Sequence, residues 1–294
     1  MKNRWFAAVL AAVLLCSAPA YAEGPEETDG GHFTGEVLPD ETDGTGDPKI
    51  SYDQLMPRDY VIVKDALTTE EPLGLPAGAR VDDSYFDDAV FIGDSVSEKL
   101  NMYVAKVRKT GGPVLGKANF LTAVSFGSRN ALKPVSSGSL HPAYNGKKML
   151  LEDAIAAMGA KKVYIMFGMN DVQVSGIEKS LENMKELLRR IHKKNPDAIF
   201  FIESATPRCG SGNPTTKDLF RYDLALYEMC AELGEGVYFV DVAYALRDAK
   251  GDLYKDCCAD TGSMALHLNE KGCKVWLEYL YTHTLPEEML QRSK

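Results

Sequence analysis

The chain has 294 residues and a formal net charge of -9, and the placement of its acidic residues matters more than their number. Between residues 23 and 50, nine acidic residues stand against Lys49 alone, in a stretch rich in Gly, Thr and Pro. So few apolar residues bury too little surface to order a chain, which predicts a solvated linker. The remainder is nearly neutral and has no basic patch interleaved with aromatic residues, which argues against nucleic acid as a partner.

Residues 1–22 have the pattern of a secretory signal. Lys2 and Arg4 precede a short apolar run, and Ala20 and Ala22 are the small residues that a signal peptidase reads. The run is shorter than the about 20 apolar residues that a membrane helix needs, so we expect cleavage rather than anchoring. No later segment is apolar enough to span a membrane. The pattern therefore predicts a secreted or cell-surface protein.

From residue 86 onward, short apolar runs alternate with amphipathic stretches. The apolar runs predict five strands, at residues 89–92, 120–126, 162–167, 198–202 and 237–240. The amphipathic stretches predict helices near residues 96–107, 149–158, 177–191, 220–231 and 270–280. Strands separated by helices imply a parallel sheet covered on both faces, so we assign residues 86–294 to one three-layer α/β/α domain. Sheets of this kind place their sites at the carboxyl ends of the strands.

Residues 51–85 show no clear alternation of strands and helices. Residues 60–63 are compatible with an edge strand, whereas Pro72, Pro76 and Gly78 indicate irregular chain. We assign this stretch to an N-terminal extension packed on the domain, with no predicted role.

Two polar motifs follow predicted strands. Ser95 ends the sequence GDS, where the first strand becomes a helix, so backbone N–H groups and the helix dipole would stabilise an oxyanion there. The same serine is equally consistent with a simple helix N-cap. Asn170, in GMND after the third strand, either donates its amide to a developing oxyanion or holds a turn.

A histidine, His267, stands in HLNEKG just before the last predicted helix. A serine becomes a nucleophile when a base lies within hydrogen-bond reach, and the unperturbed histidine pKa of about 6.5 suits that task. Taken alone, such a histidine is more often structural, so its interpretation depends on the motifs that accompany it.

The three motifs together resemble the SGNH (GDSL-like) hydrolase family in identity, order and spacing, over residues 88–283. The resemblance implies a flavodoxin-like α/β/α fold with Ser95 as nucleophile and His267 as general base. It also implies an oxyanion hole formed by the Ser95 N–H, the Asn170 amide and the N–H of Gly127. For that glycine, Gly116 and the pair at positions 111 and 112 remain competitors.

One position departs from the family pattern. The family usually has an aspartate three residues before the histidine, and here that residue is Met264. Asp260 lies seven residues before His267, so either a longer loop lets Asp260 orient the imidazole, or a backbone carbonyl does so in a Ser–His dyad. Loss of the orienting acid in a serine protease costs about four orders of magnitude in kcat without abolishing activity.

Five cysteines follow the predicted signal: Cys209, Cys230, Cys257, Cys258 and Cys273. No CxxC pair occurs and the adjacent pair lacks metal-ligand spacing, so we expect no metal site. The loops around Cys209 and before His267 should share the active face. We therefore hypothesise a disulfide from Cys209 to Cys257 or Cys258, with Cys230 and Cys273 buried as free thiols.

The resemblance implies a serine esterase that forms an acyl-enzyme on Ser95 and needs no metal or organic cofactor, and the N-terminal pattern predicts that it is secreted. A small ester or an acylated glycan is the expected substrate, including O-acetyl groups on cell-wall or other polysaccharide. Two alternatives stay open, an acyltransferase that passes the acyl group to a glycan hydroxyl and a surface-binding module without catalysis. The oligomeric state has no signature in the sequence.

Overall fold

The structure is a computed structural model and describes residues 50–292. The predicted signal at residues 1–22 and the predicted linker up to residue 49 lie outside the described residues.

A five-stranded parallel sheet forms the centre of the domain. Its strands are β1 (Ala89–Gly93), β2 (Asn119–Thr122), β3 (Lys162–Met166), β4 (Ile199–Glu203) and β5 (Val237–Val240). They lie in the order β2-β1-β3-β4-β5, the flavodoxin-like doubly wound order. The order reverses between β1 and β3, and this switch point opens a crevice at the carboxyl ends of the strands. The predicted fold class is therefore confirmed.

Five longer helices flank the sheet: α1 (Ser95–Lys109), α2 (Leu151–Met158), α3 (Met169–Lys194), α4 (Thr216–Leu233) and α5 (Glu270–Thr282). Shorter α-helices are Tyr52–Leu55, Ser128–Ala131, Val242–Leu246 and Glu287–Arg292. Single 3₁₀ turns occupy Lys64–Ala66, Asp83–Phe86 and Lys255–Cys257, and two-stranded hairpins join Ile62–Val63 to Thr68–Thr69 and Ala143–Tyr144 to Lys147–Lys148.

A row of aromatic rings crosses the whole sheet at one register, formed by Phe120, Phe91, Tyr164, Phe201 and Tyr238. Neighbouring ring centroids along the row are 5.3, 4.6, 4.4 and 6.1 Å apart. Offset-stacked rings stabilise by about 0.5–1.5 kcal/mol per pair beyond the burial of their area. This shared register also aligns the carboxyl ends of the strands, where the site lies.

The helices lie on both faces of the sheet. On the face of the aromatic row, Arg108 of α1 lies over the Phe120 ring, and Tyr281 of α5 packs on Phe86, which contacts Phe91. On the opposite face, Tyr227 of α4 packs edge-on against a ring of β5 with centroids 5.7 Å apart. α2, α3 and α4 lie side by side there. The three layers form because the helices on each face of the sheet pack an apolar stripe against it.

Several boundaries differ from the sequence prediction, and those of β2 and α3 matter for the site. β2 ends at Thr122 rather than 126, because the chain turns there, with a Phe126 N–H to Ala123 carbonyl bond of 3.2 Å and a positive φ of 58° at Ser125. α3 starts at Met169, eight residues earlier than its apolar stripe, with non-helical backbone at Gly176. The extra turn places Asn170 at the start of a helix.

The N-terminal extension covers the β5 edge of the sheet. Gly74 forms an antiparallel bridge with Val240, and the Leu75 N–H donates to the Phe239 carbonyl at 3.0 Å. A side chain at Gly74 would meet the Phe239 backbone, which explains the glycine. Within the stretch 60–63, which is compatible with an edge strand, Ile62–Val63 does form a strand, but it pairs with Thr68–Thr69 in a hairpin and not with the central sheet. The extension protects the backbone groups that an edge strand would otherwise expose.

Candidate active site

Ser95 is the first residue of α1, directly after β1 and its connecting residue Asp94. Asp94, and not Ser95, is the N-cap, because its carboxylate accepts the Val96 N–H at 2.8 Å. The Ser95 hydroxyl is therefore available for another partner. The turn needs Gly93, since a Cβ there would overlap Ser97 and approach the Met166 carbonyl oxygen to 2.9 Å.

The partner of the Ser95 hydroxyl is His267. Its Nε2 lies 3.0 Å from Ser95 Oγ, although 172 residues separate the two in the chain. His267 is 8% exposed, and its main chain is fixed by a bond from the Ala259 N–H to its carbonyl at 2.8 Å. The short strand-like bridge between Cys258 and Leu268 continues this pairing. The main chain at His267 is thus paired with residues 258–259, which fixes the position from which the imidazole extends.

Asp260 occupies the other side of the imidazole. Its Oδ2 lies 2.7 Å from Nδ1 of His267, and its Oδ1 accepts the N–H groups of Leu266 and His267 at 3.0 and 3.1 Å. Partial burial opposes ionisation of this carboxyl. These hydrogen bonds outweigh burial and hold the pKa of Asp260 below its usual value. An ionised Asp260 favours the tautomer in which Nδ1 carries the proton, which leaves Nε2 free to accept from Ser95.

A tight turn brings Asp260 back to His267 across seven positions. The N–H groups of Ser263 and Ala265 both donate to the Asp260 carbonyl, at 2.9 and 3.0 Å. Ala265 adopts a left-handed φ of 54°, which reverses the chain. Met264, at the position of the family's usual aspartate, is 54% exposed at the tip of the turn.

Arg208 holds this turn from below. Its guanidinium donates to the Met264 carbonyl, and the next residue, Cys209, donates its N–H to the Ala265 carbonyl at 2.8 Å. Arg208 is 6% exposed and forms no ion pair with any carboxylate in residues 50–292, while Met169 Sδ lies 3.5 Å from its Nη1. A buried charge without a carboxylate is costly unless hydrogen bonds satisfy it, so its bond to the turn is an important one.

Asn170 lies in the first turn of α3 and joins three loops at the switch point. Its Nδ2 donates to Asp94 Oδ2 at 2.9 Å and to the Phe126 carbonyl at 3.2 Å. One amide nitrogen carries two protons, so both are directed at protein acceptors in this state. The longer bond, to the residue just before Gly127, is the weaker of the two.

Gly127 is the N-cap of the Ser128–Ala131 helix that follows β2. A Cβ at this position would lie 2.9 Å from the Asp171 carboxyl carbon, so the glycine allows close approach of α3. The competing Gly116 lies against Asp83 and Asp87 and precedes β2, whereas Gly127 follows the carboxyl end of that strand. The structure therefore brings Gly127 to the Asn170 side of the crevice and does not bring Gly116 there.

Two buried carboxyls flank Asn170. The pKa of Asp94 is raised to about 7, mainly by burial and in part by the nearby Asp171, although hydrogen bonds from the Val96 N–H and the Asn170 amide oppose the rise. Burial also raises the pKa of Asp171, against hydrogen bonds from the Ser128 hydroxyl and the Arg129 N–H. The sequence analysis did not single out these two aspartates, although each adjoins a motif residue.

The sequence profile of the GDSL-like lipase/acylhydrolase family matches residues 91–275, which is more than half of the chain. The chain belongs to this family. The three motifs that suggested the resemblance all lie inside the matched range, so the resemblance is confirmed. No match was found among curated proteins.

Solved structures of similar fold include other GDSL-like proteins. A GDSL-like lipase from Bacteroides thetaiotaomicron is 13% identical over 74% of this chain and 93% of that chain, with a TM-score of 0.49. Family 3 carbohydrate esterases from Clostridium thermocellum (16% identical) and Talaromyces cellulolyticus (14%) cover 69% and 70% of this chain and 97% of theirs, with TM-scores of 0.44 and 0.46. At these values the neighbours carry no argument about the substrate of this GDSL-like protein.

A cavity of about 490 Å³ opens beside Gly127 and Asn170 in this GDSL-like domain. It is lined from the ends of β2, β3 and β4 by Ser125, Gly127, Arg129, Asn130, Leu140, Asn170, Asp171, Gln173, Val174 and Asn213. The lining is mostly polar, and Leu140 and Val174 are its exposed apolar members. Pockets of this size accommodate groups much larger than an acetyl.

The predicted disulfide of Cys209 is absent, since all five described cysteines are free thiols. Main-chain bonding links Cys209 to Ala265 instead, and the Cys258 thiol donates to Asp260 Oδ1 at 3.4 Å. Within residues 50–292, no cluster of three His, Cys, Asp or Glu side chains is arranged to hold a metal ion. Of the helices that the structure describes, none combines the length and hydropathy of a bilayer span.

Proposed function

We propose that this GDSL-like acylhydrolase cleaves carboxylic esters through an acyl-enzyme on Ser95. The observation that carries the proposal is the continuous hydrogen-bonded chain from Ser95 Oγ through His267 to Asp260, at 3.0 and 2.7 Å. A serine hydroxyl becomes nucleophilic when a positioned base accepts its proton, and a third group that orients the base completes the arrangement.

Proton transfer follows this chain in both halves of the reaction. His267 Nε2 accepts the Ser95 proton as Oγ attacks the ester carbonyl, and Asp260 stabilises the resulting imidazolium. His267 then returns the proton to the leaving alcohol as the carbonyl re-forms. In deacylation it accepts a proton from water, which attacks the acyl-enzyme, and the proton returns to Ser95 Oγ with release of the acid.

Oxyanion stabilisation is assigned to three donors at helix N-termini: the N–H groups of Ser95 and Gly127 and the amide of Asn170. The first N–H groups of a helix lack intrahelical acceptors, and the helix dipole favours negative charge there. The oxyanion accepts from Asn170 when the 3.2 Å bond to the Phe126 carbonyl is exchanged for it. The raised pKa of Asp94 reduces the negative charge that would otherwise oppose the oxyanion from behind.

The proposed substrates are O-acylated glycans or small esters outside the cytoplasm. The extracytoplasmic location rests on the N-terminal sequence pattern alone. The polar lining of the 490 Å³ cavity supports a hydroxylated substrate over a fatty acyl chain, because apolar chains are favoured by apolar walls.

The test is hydrolysis of p-nitrophenyl acetate by the purified protein, beside Ser95→Ala and the control Ser136→Ala. Ser136 is exposed in the loop after the Ser128–Ala131 helix, so its replacement leaves the site untouched. We expect turnover by the wild type and Ser136→Ala and its loss in Ser95→Ala. Equal turnover by all three proteins, or none by any of them, would refute the proposal.

Transfer to a glycan hydroxyl would use the same acyl-enzyme. The partition of product between free acid and acylated glycan, when both water and glycan are present, separates the two reactions. A binding module without catalysis was suggested by Met264, but the bond between Asp260 and His267 supports catalysis, because it supplies the orienting acid by another route.

A further inference from the structure

Arg129 projects from the helix after Gly127 into the cavity beside the oxyanion residues. It is exposed, and its guanidinium forms neither an ion pair nor a hydrogen bond within the part of the chain that the structure describes. Arg189 and Arg190 are also accessible, but both pair with Glu186. An unpaired guanidinium in a concave site is a ready partner for an anion.

The charge of Arg129 is only partly offset within the cavity, through an electrostatic attraction to the Asp171 carboxyl. Asp171 is the carboxyl among its described lining residues, and it is buried beneath Gly127 rather than exposed in the cavity. Its Oδ1 already accepts the Ser128 hydroxyl and the backbone N–H of Arg129. The described lining therefore presents a positive charge to a ligand.

Three carboxamides surround the cavity, on Asn130, Gln173 and Asn213. Each carries a donor and an acceptor, and none of their side chains has a hydrogen-bond partner in residues 50–292. Sugar hydroxyls are themselves donors and acceptors, so they match such a lining. This combination of one cation and three amides fits a carbohydrate that carries an acidic group.

We propose that Arg129 binds the carboxylate of a sugar acid in the glycan whose O-acyl group Ser95 attacks. The proposal rests on the proposed function and adds the charge of its substrate. The planar guanidinium matches a carboxylate in bidentate geometry, which favours a carboxylate over a hydroxyl as its partner. Because the cavity includes Gly127 and Asn170, a sugar ring bound there lies next to the reacting carbonyl.

The test compares O-acetylated oligogalacturonate with the same oligomer after methyl esterification of its carboxylates. For the wild type we expect kcat/KM to be at least about tenfold higher on the charged oligomer, since hydrogen bonds to charged groups are strong. Arg129→Gln should bring the ratio close to one, and Arg129→Lys should retain part of it. Arg189→Gln, an exposed change at the other end of α3, should behave like the wild type.

Two results would overturn the proposal while leaving the esterase in place. One is an equal kcat/KM on both oligomers, and the other is an equal loss on both in Arg129→Gln. Where neither oligomer is hydrolysed, calorimetric binding of deacetylated oligogalacturonate to Ser95→Ala and to Ser95→Ala/Arg129→Gln decides. Binding that depends on Arg129 supports the proposal even if Ser95-dependent turnover of every ester is absent, and binding that is absent or indifferent to Arg129 overturns it.

Discussion

Oδ2 of Asp260 lies 2.7 Å from Nδ1 of His267, although the family's usual orienting aspartate is three residues before the histidine and Asp260 is seven. The turn through Ala265 compensates for the longer spacing by doubling the chain back on itself. The carboxylate contact with Nδ1 of the histidine is thus made by an aspartate at a different position in the sequence.

Asp260→Asn tests the orienting role. The amide cannot hold the imidazole in the required tautomer, so we expect kcat on p-nitrophenyl acetate to fall by about 10⁴-fold. Asp256→Asn is a matched control, because Asp256 is exposed and pairs with Lys271 away from the imidazole. Equal activities of the two variants would show that a backbone group, not Asp260, orients His267.

Arg208→Met tests whether the brace under the turn matters for chemistry. We expect kcat to fall by about 10- to 100-fold with little change in KM, because a small displacement of Asp260 misaligns His267. The free energy of unfolding should stay level or rise, since the change removes a buried charge that has no carboxylate partner among the described residues. Urea titration beside steady-state kinetics measures both, and unchanged kcat would exclude the positioning role.

Asn170→Ala removes the proposed side-chain donor of the oxyanion hole. Loss of one such donor costs about 10²- to 10³-fold in kcat, and KM should change little because the bond is made in the transition state. The variant also leaves Asp94 and the Phe126 carbonyl without their amide partner, so some loss of thermal stability is expected. A proportionate rise in KM at constant kcat would instead assign Asn170 to ground-state binding.

Glu203 gives the fold a pH dependence. It lies buried at the end of β4, and burial raises its pKa from 4.5 to about 8, although Trp276 Nε1 donates to it at 3.3 Å. The folded state holds this proton where the unfolded state has released it, so its contribution to stability is complete below pH 4.5 and is lost as pH rises through 8.

Glu203→Gln should flatten that dependence. The variant should match the wild type below about pH 4.5 and exceed it above pH 8 by roughly 5 kcal/mol in the free energy of unfolding. Urea titrations across this range measure the difference, with Glu178→Gln as the exposed control on α3. Parallel curves for wild type and Glu203→Gln would contradict the assignment.

Apolar periodicity predicted the fold well because the strands are buried on both faces and the helices carry long apolar stripes. Apolar periodicity predicted a β2 that was too long, because residues 123–126 are mostly apolar but form a turn. The motifs around Ser95 and His267 stand at ends of predicted elements, and the sheet order brings those ends together. Local patterns could not settle the role of Asp260. Its contact with His267 depends on a left-handed backbone conformation at Ala265, and alanine has no preference for that conformation.

Side chains that act across long sequence separations left no local signature. Arg208 donates to the Met264 carbonyl, 56 positions away. Arg129 is of interest because its guanidinium forms no ion pair or hydrogen bond with the described residues, which no local pattern reveals. Asp94 was open to prediction, because a capping aspartate before a helix is a recognisable signal, whereas Asp171 lies inside α3 and caps nothing. The predicted Cys209 disulfide is not formed, although the sequence correctly placed Cys209 near Cys258, since the two free thiols interact electrostatically.

The measurement that tests the central claim most directly is covalent capture of the nucleophile. The purified protein and His267→Ala are treated with a fluorophosphonate, which phosphonylates activated serines, and analysed by intact mass and peptide mapping. We expect one adduct on the wild type, located on Ser95, and a strongly slowed reaction in His267→Ala. An adduct on another serine, or labelling of Ser95 at the same rate without His267, would contradict it.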